Sequence, residues 1–162
     1  MKNRKLKTII LLLLISILLL SALSYGLWKK REQSAVNDYK MYMAKQYDIL
    51  NFLQDSLDVR NNTSDFTNKL MLAKGEFTYL DPIIKHVSMP KSLIEFHNEG
   101  KNLVDIILFK ASNGEMVEND ISKLEDYTKK LRRMVRTLGP SIVEAESAAV
   151  IFKRLDEIGK TL

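Results

Sequence analysis

The chain predicts an all-α protein: an N-terminal single transmembrane helix followed by an antiparallel bundle of four to five helices. Three observations carry this. Residues Thr8 to Trp28 include no charged side chain, and about twenty apolar residues at about 1.5 Å rise each cross a bilayer core of about 30 Å. Beyond Trp28, apolar residues recur at steps of three, four and seven, with no period-2 alternation. Prolines and glycines number only three and six in 162 residues.

Residues 1–7 form a short basic tail, residues 8–28 a signal-anchor helix, and residues 29–162 a helical-bundle domain. Twelve Leu or Ile residues lie between Ile9 and Leu23 and favour insertion by about 4–7 kcal/mol. Trp28, with Lys29, Lys30 and Arg31, forms a membrane anchor: an amphipathic ring at headgroup level, then charges that stop in water. A cleaved signal peptide is the competing reading, with small residues at Ala22 and Ser24 and secretion as its consequence. The apolar run exceeds the roughly 7–15 residues usual for such a peptide, which favours the uncleaved anchor. Lys2, Arg4, Lys5 and Lys7 outnumber the cations on the other flank. This predicts a cytoplasmic N-terminus and an extracytoplasmic bundle at the cell membrane.

The first soluble segment, about Lys30 to Val59, places Val36, Tyr39, Met43, Leu50, Leu53 and Leu57 on one face. No proline or glycine lies between Gly26 and Val59, so the helix is expected to leave the membrane without a break. Residues 60–65 are a polar turn that supplies N-cap oxygens. The second segment carries an a/d seam of Phe66, Leu70, Ala73, Phe77, Leu80, Ile84 and Val87. Pro82 predicts a kink or a restart capped by Asp81. Such a seam serves a homo-oligomer as well as a bundle; with four other amphipathic segments in the chain, packing within it is the expected use.

Ser88-Met89-Pro90 opens the third helix, with Leu93, Phe96, Leu103, Val104, Ile107, Leu108 and Ala111 inward and Gly100 permitting close approach. Ser112-Asn113-Gly114 ends it. The fourth runs from about Met116 to Leu138, buries Val117, Ile121, Leu124, Tyr127, Leu131, Met134, Val135 and Leu138, and is expected to stop at Gly139-Pro140. The fifth runs from about Ser141, with Ile142, Ala145, Ala149, Phe152, Leu155 and Ile158 inward. Short connections make neighbouring helices antiparallel. The architecture resembles, at the level of fold, the membrane-proximal helical bundles of bacterial receptors.

Charge and composition narrow the function. The chain carries +5 overall, but residues 1–31 hold seven Lys or Arg and no acid. The remainder holds eighteen against twenty Asp or Glu, a net −2. The basicity belongs to the membrane flanks, so nucleic acid is not an expected partner. The absence of cysteine excludes disulfides, thiolate metal sites and Cys nucleophiles.

The chain contains no metalloprotease His pair, nucleophile elbow or phosphate-cradling glycine loop. His86 and His97, the only histidines, flank the Pro90 turn. A metal site with Glu95 or Glu99 lacks the required ligand spacing, so two ordinary surface or boundary histidines are expected. Asp156-Glu157 and Glu144/Glu146 diverge on their helices. No enzyme, cofactor or metal is expected.

The strongest polar feature is Lys129, Arg132, Arg133 and Arg136, which share one helical face. It is a candidate surface for an anionic partner, weighed against a solvated face that complements a helix C-terminus. Tyr39, Tyr42 and Tyr47 either line a pocket or belong to the core, and core is favoured. The expected function is a non-enzymatic interaction module. It is held in the lipid bilayer through residues 8–28 and binds a membrane or envelope protein. The alternative is a ligand-sensing bundle with a pocket between helices near Tyr39–Tyr47.

Overall fold

The computed structural model describes residues 2–115, 117–143 and 147–162, and they form five helices: α1 (Lys2–Asp58), α2 (Thr63–His86), α3 (Lys91–Ser112), α4 (Glu118–Val143) and α5 (Ala148–Gly159). At 1.5 Å per residue α1 is a rod of about 85 Å. Its first part runs free of the other helices, and its second part enters the bundle at Val36.

Helices α1 to α4 pack as an antiparallel four-helix bundle, each against two neighbours, with α1 beside α2 and α4, and α3 opposite α1. One core runs through it. The seam read from the sequence lies inside that core: Phe66, Leu70, Ala73, Phe77, Leu80, Ile84 and Val87 are all buried within the chain. Ion pairs link neighbouring helices. Lys45 reaches Glu76 at 3.0 Å between α1 and α2, Lys74 reaches Asp105 at 2.6 Å between α2 and α3, and Lys110 reaches Asp120 at 2.7 Å between α3 and α4.

The turns follow local chemistry. Asn62 caps α2, its side-chain oxygen accepting from the Asp65 N–H at 3.3 Å. Gly114 ends the α3–α4 turn with φ +69°, a left-handed conformation that suits glycine. Gly100 lets Tyr127 of α4 lie directly on the backbone of α3. A Cβ at that glycine would stand 2.2 Å from the Tyr127 Cζ.

Three expectations are corrected. Helix α2 continues through Pro82 to His86, because Ile84 beyond the proline is buried. Asp81 does not cap a restart; it pairs with His97 and Lys101 of α3. Helix α4 likewise passes Gly139-Pro140 and ends at Val143. Burial of Ile142, about 1.5–3 kcal/mol, offsets a proline cost of about 3 kcal/mol.

The last helix therefore starts at Ala148, with Ser147 as its cap, and its register is reset. Ile151, Leu155 and Gly159 face inward, whereas Ala149 and Phe152 are exposed. Ala145 and the Glu144/Glu146 pair lie outside the described residues. Helix α5 packs against α1, α3 and α4. It starts beside Glu32 of α1, whose Oε1 accepts the Ala148 N–H at 2.7 Å. It ends against Ser92 and Leu93 of α3, closing the end of the bundle nearest the apolar rod.

Candidate functional site

The apolar rod is the largest exposed feature. Every side chain from Ile9 to Arg31 is exposed, and the helix is long and apolar enough to cross a membrane. Soluble monomers rarely expose more than a few hundred Å² of continuous apolar surface. Trp28 ends the run with Tyr25 beside it, ring centroids 6.0 Å apart, and Lys29, Lys30 and Arg31 follow, all exposed.

The basic face of α4 is divided. Lys129 pairs with Asp126 at 3.1 Å, both well exposed. Arg132 is half-buried and turns toward α1, where its Nε lies 3.1 Å from the Gln54 carboxamide and donates to its oxygen once that amide is turned to face it. Arg133 and Arg136 are exposed. The stripe is thus part packing contact, part self-neutralised pair and part free surface.

The two histidines separate. His86 is exposed and its Nδ1 meets Asp38 at 2.8 Å. His97 is not a boundary residue: it is 1% exposed, edge-on to Phe77 at 5.3 Å, with Nε2 3.2 Å from Asp81 Oδ1. Burial holds the His97 imidazole below its ordinary value against the pull of Asp81. Burial also opposes ionisation of Asp81, but Lys101 and His97 outweigh it and keep that carboxyl low. Neutral His97 donates from Nε2 to the carboxylate, leaving its Nδ1 without a partner. Glu95 pairs with Lys91, and Glu99 is exposed. Neither joins the histidines, and among the described residues no three potential ligands converge.

The tyrosines also divide. Tyr42 is fully buried, Tyr39 is buried, and Tyr47 is 55% exposed. The Tyr42 hydroxyl, the Gln46 carboxamide and the Tyr127 hydroxyl are buried without hydrogen-bond partners. Burial pushes the Tyr42 phenol up. The Gln46 amide one turn away opposes that shift, although the pair falls short of hydrogen-bond geometry. Tyr127 is raised chiefly by burial, then by Tyr42, and stacks on Phe96 at 4.5 Å.

Two of the surface clefts bear on function. One, of about 560 Å³, lies at the α5 end between α1, α5 and the α2–α3 turn, with Arg31, Tyr39, His86 and Phe152 in its lining. Its roof is fixed by the Tyr39 hydroxyl, which donates to the Ser88 carbonyl at 2.6 Å, and by the Asp38–His86 pair. The other, of about 970 Å³, is an apolar groove between α2 and α3 at the opposite end, lined by Met71, Leu108 and Phe109 among others. Phe109 is 67% exposed and Met71 61%. Sequence reasoning passed over both residues. The available signal was their offset from the inward stripes: Met71 follows Leu70 directly, and Phe109 lies two past Ile107.

Comparison with protein-family models, with curated proteins and with solved structures finds no match. The class defined is therefore architectural: a helical bundle with one long apolar helix near its N-terminus.

Proposed function

We propose that this protein is a non-enzymatic, membrane-anchored interaction module. Its uncleaved first helix spans the bilayer with the N-terminus in the cytoplasm. Its bundle stands on the other side and docks a membrane or envelope protein. The observation that carries the reading is a contrast within α1. Side chains from Ile9 to Arg31 are exposed, whereas Val36, Tyr39 and Tyr42 further along the same helix are buried. An exposed apolar cylinder of that length belongs in an apolar solvent.

The four cations before the span against three after it support the orientation. The engagement of both histidines in separate carboxylate pairs supports a non-enzymatic role. The docking face assigned is the α2–α3 groove, because Met71, Phe109 and nearby Ile106 are large, apolar and exposed there. A ligand-sensing bundle draws support from the cleft beside Tyr39, which opens at the bundle's end between α1 and α5.

Alkaline carbonate treatment of membranes is expected to leave the protein in the pellet, and protease added to intact cells to cut the bundle from outside. A photo-crosslinking residue at Phe109 is expected to give one discrete protein adduct that Met71→Glu abolishes. Release by carbonate overturns the anchor, protection from protease the orientation, and crosslinking indifferent to Met71→Glu the docking face.

A further inference from the structure

The cleft beneath the bundle sits where the anchor meets the bilayer surface, and protein docking at the opposite end leaves it unused. Its height follows from helix rise. Arg31 lies about 4–5 Å beyond Trp28 along α1, and Asp38 about 15 Å beyond. The headgroup zone of one leaflet is about 5–8 Å deep. With Trp28 at the interface, the mouth of the cleft opens among the headgroups, and its roof at His86–Ser88 stands above them. Helix α5 forms a second wall. Its first N–H is tied to Glu32 at 2.7 Å, about 6 Å beyond Trp28.

We propose that this cleft receives the phosphate headgroup of an anionic phospholipid from the leaflet in which α1 is anchored. The inference rests on the reading that α1 spans the bilayer. Three features fit that occupant. Arg31 lines the cleft at its mouth, is exposed and makes no ion pair among the described residues, so its planar fork is available to a phosphate. The two acids nearest the mouth are engaged elsewhere: Glu32 accepts from the α5 N-terminus, and Asp38 is paired with His86 at 2.8 Å. The remaining wall is largely apolar, with Ala35, Val87, Ala149 and Phe152. That suits the glycerol and upper acyl chain below a headgroup.

The test uses the full chain reconstituted in vesicles of equal phosphatidylglycerol and phosphatidylcholine, then released in mild detergent for native mass spectrometry. Phosphatidylglycerol is expected to be retained selectively. Arg31→Gln should lower that retention about fivefold, the equivalent of about 1 kcal/mol for one cation at the surface. Ala149→Trp, which fills the cleft from an exposed position, should abolish it with far-UV circular dichroism unchanged. Lys30→Gln, one residue away but outside the lining, should change it less than about twofold. Equal retention of both lipids, equal loss in Arg31→Gln and Lys30→Gln, or no effect of Ala149→Trp overturns the site. Carbonate extraction of the wild type from the same vesicles overturns the anchor and the site together. Resistance to extraction without lipid selectivity overturns the site alone.

Discussion

Replacing Gln46 with Met is expected to stabilise the bundle. Gln46 lies on α1, one turn from Tyr42, and both are fully enclosed. Neither end of its carboxamide has a hydrogen-bond partner, nor do the Tyr42 and Tyr127 hydroxyls. A buried polar group left unpaired costs about 1–3 kcal/mol, so two such ends amount to about 2–6 kcal/mol. Met has nearly the same helix propensity and an adaptable unbranched side chain. Imperfect refitting of the thioether removes up to about 1.5 kcal/mol. A net gain of at least about 0.5 kcal/mol follows, and each 1 kcal/mol raises Tm by roughly 3–5 °C for a domain of this size. Urea unfolding of the full chain in detergent, followed at 222 nm, measures it. The span, embedded in the micelle, contributes a constant signal. A higher midpoint with unchanged slope is the expected result. A lower midpoint refutes the reasoning, because the amide would then be hydrogen-bonded in solution through water or a ligand, and the Tyr42–Gln46–Tyr127 cluster would be a site.

Other outcomes follow from single contacts. Gly75→Ala and Gly100→Ala make the same chemical change in two helices and should differ in sign. Gly75 has nothing within 4 Å of a new Cβ, so the alanine gains up to about 1 kcal/mol of helix propensity. At Gly100 the Cβ meets the Tyr127 ring at 2.2 Å, and Phe96 holds that ring at 4.5 Å. Overpacking of about 1–3 kcal/mol then exceeds the propensity gain, and equal urea midpoints for the two variants would contradict the close approach. Acid should weaken the bundle in two stages. The folded His97 value lies below 6.5, so the unfolded chain binds the proton first and stability falls as pH drops below about 6.5. The folded Asp81 value lies below 3.8, which has the same sign and begins below that pH. His97→Phe should flatten the first stage and shrink the second, because Asp81 then keeps only Lys101 to hold it low; urea midpoints that rise from pH 7 to 5.5 would show an imidazolium formed in the fold.

Much of the fold was legible because helix periodicity and burial are the same fact seen twice. The seven seam positions from Phe66 to Val87 are all buried, and the stripe of α4 from Leu124 to Leu138 is buried as read. Stops were harder to read. Local chemistry reads Pro140 as a stop and Pro82 as a kink or a restart, but Ile84 and Ile142 beyond them fill core positions, and tertiary burial outweighs the local penalty. The polar interior was legible in position but not in type. Gln46 falls between Met43 and Leu50, and His97 between Leu93 and Gly100, at the steps of the inward stripes, but polar side chains give no sign of burial until the crossing of helices encloses them. The same holds for Arg132, which shares a sequence face with Arg133 but reaches α1 because α4 lies beside it.

Helix α5 shows where sequence reading runs out and why that bears on function. It is short, with apolar groups on two sides: Ile151 and Leu155 on one, Ala149 and Phe152 on the other. Read as a continuation from Ser141, the phase selects Ala149 and Phe152 as core. The cap at Ser147 shifts the phase, so that Ile151 turns inward in place of Ala149 and Phe152, while Leu155 is buried as the sequence reads. Two apolar faces on one twelve-residue helix are superfluous if only the bundle is to be satisfied. Helix α5 begins about 6 Å along α1 from Trp28, and its second face lies on the side of the bundle closest to the anchor. The residues misassigned from sequence are thus the ones whose exposure needs a second apolar neighbour. On the membrane anchoring proposed above, the bilayer surface would supply one without any further chain.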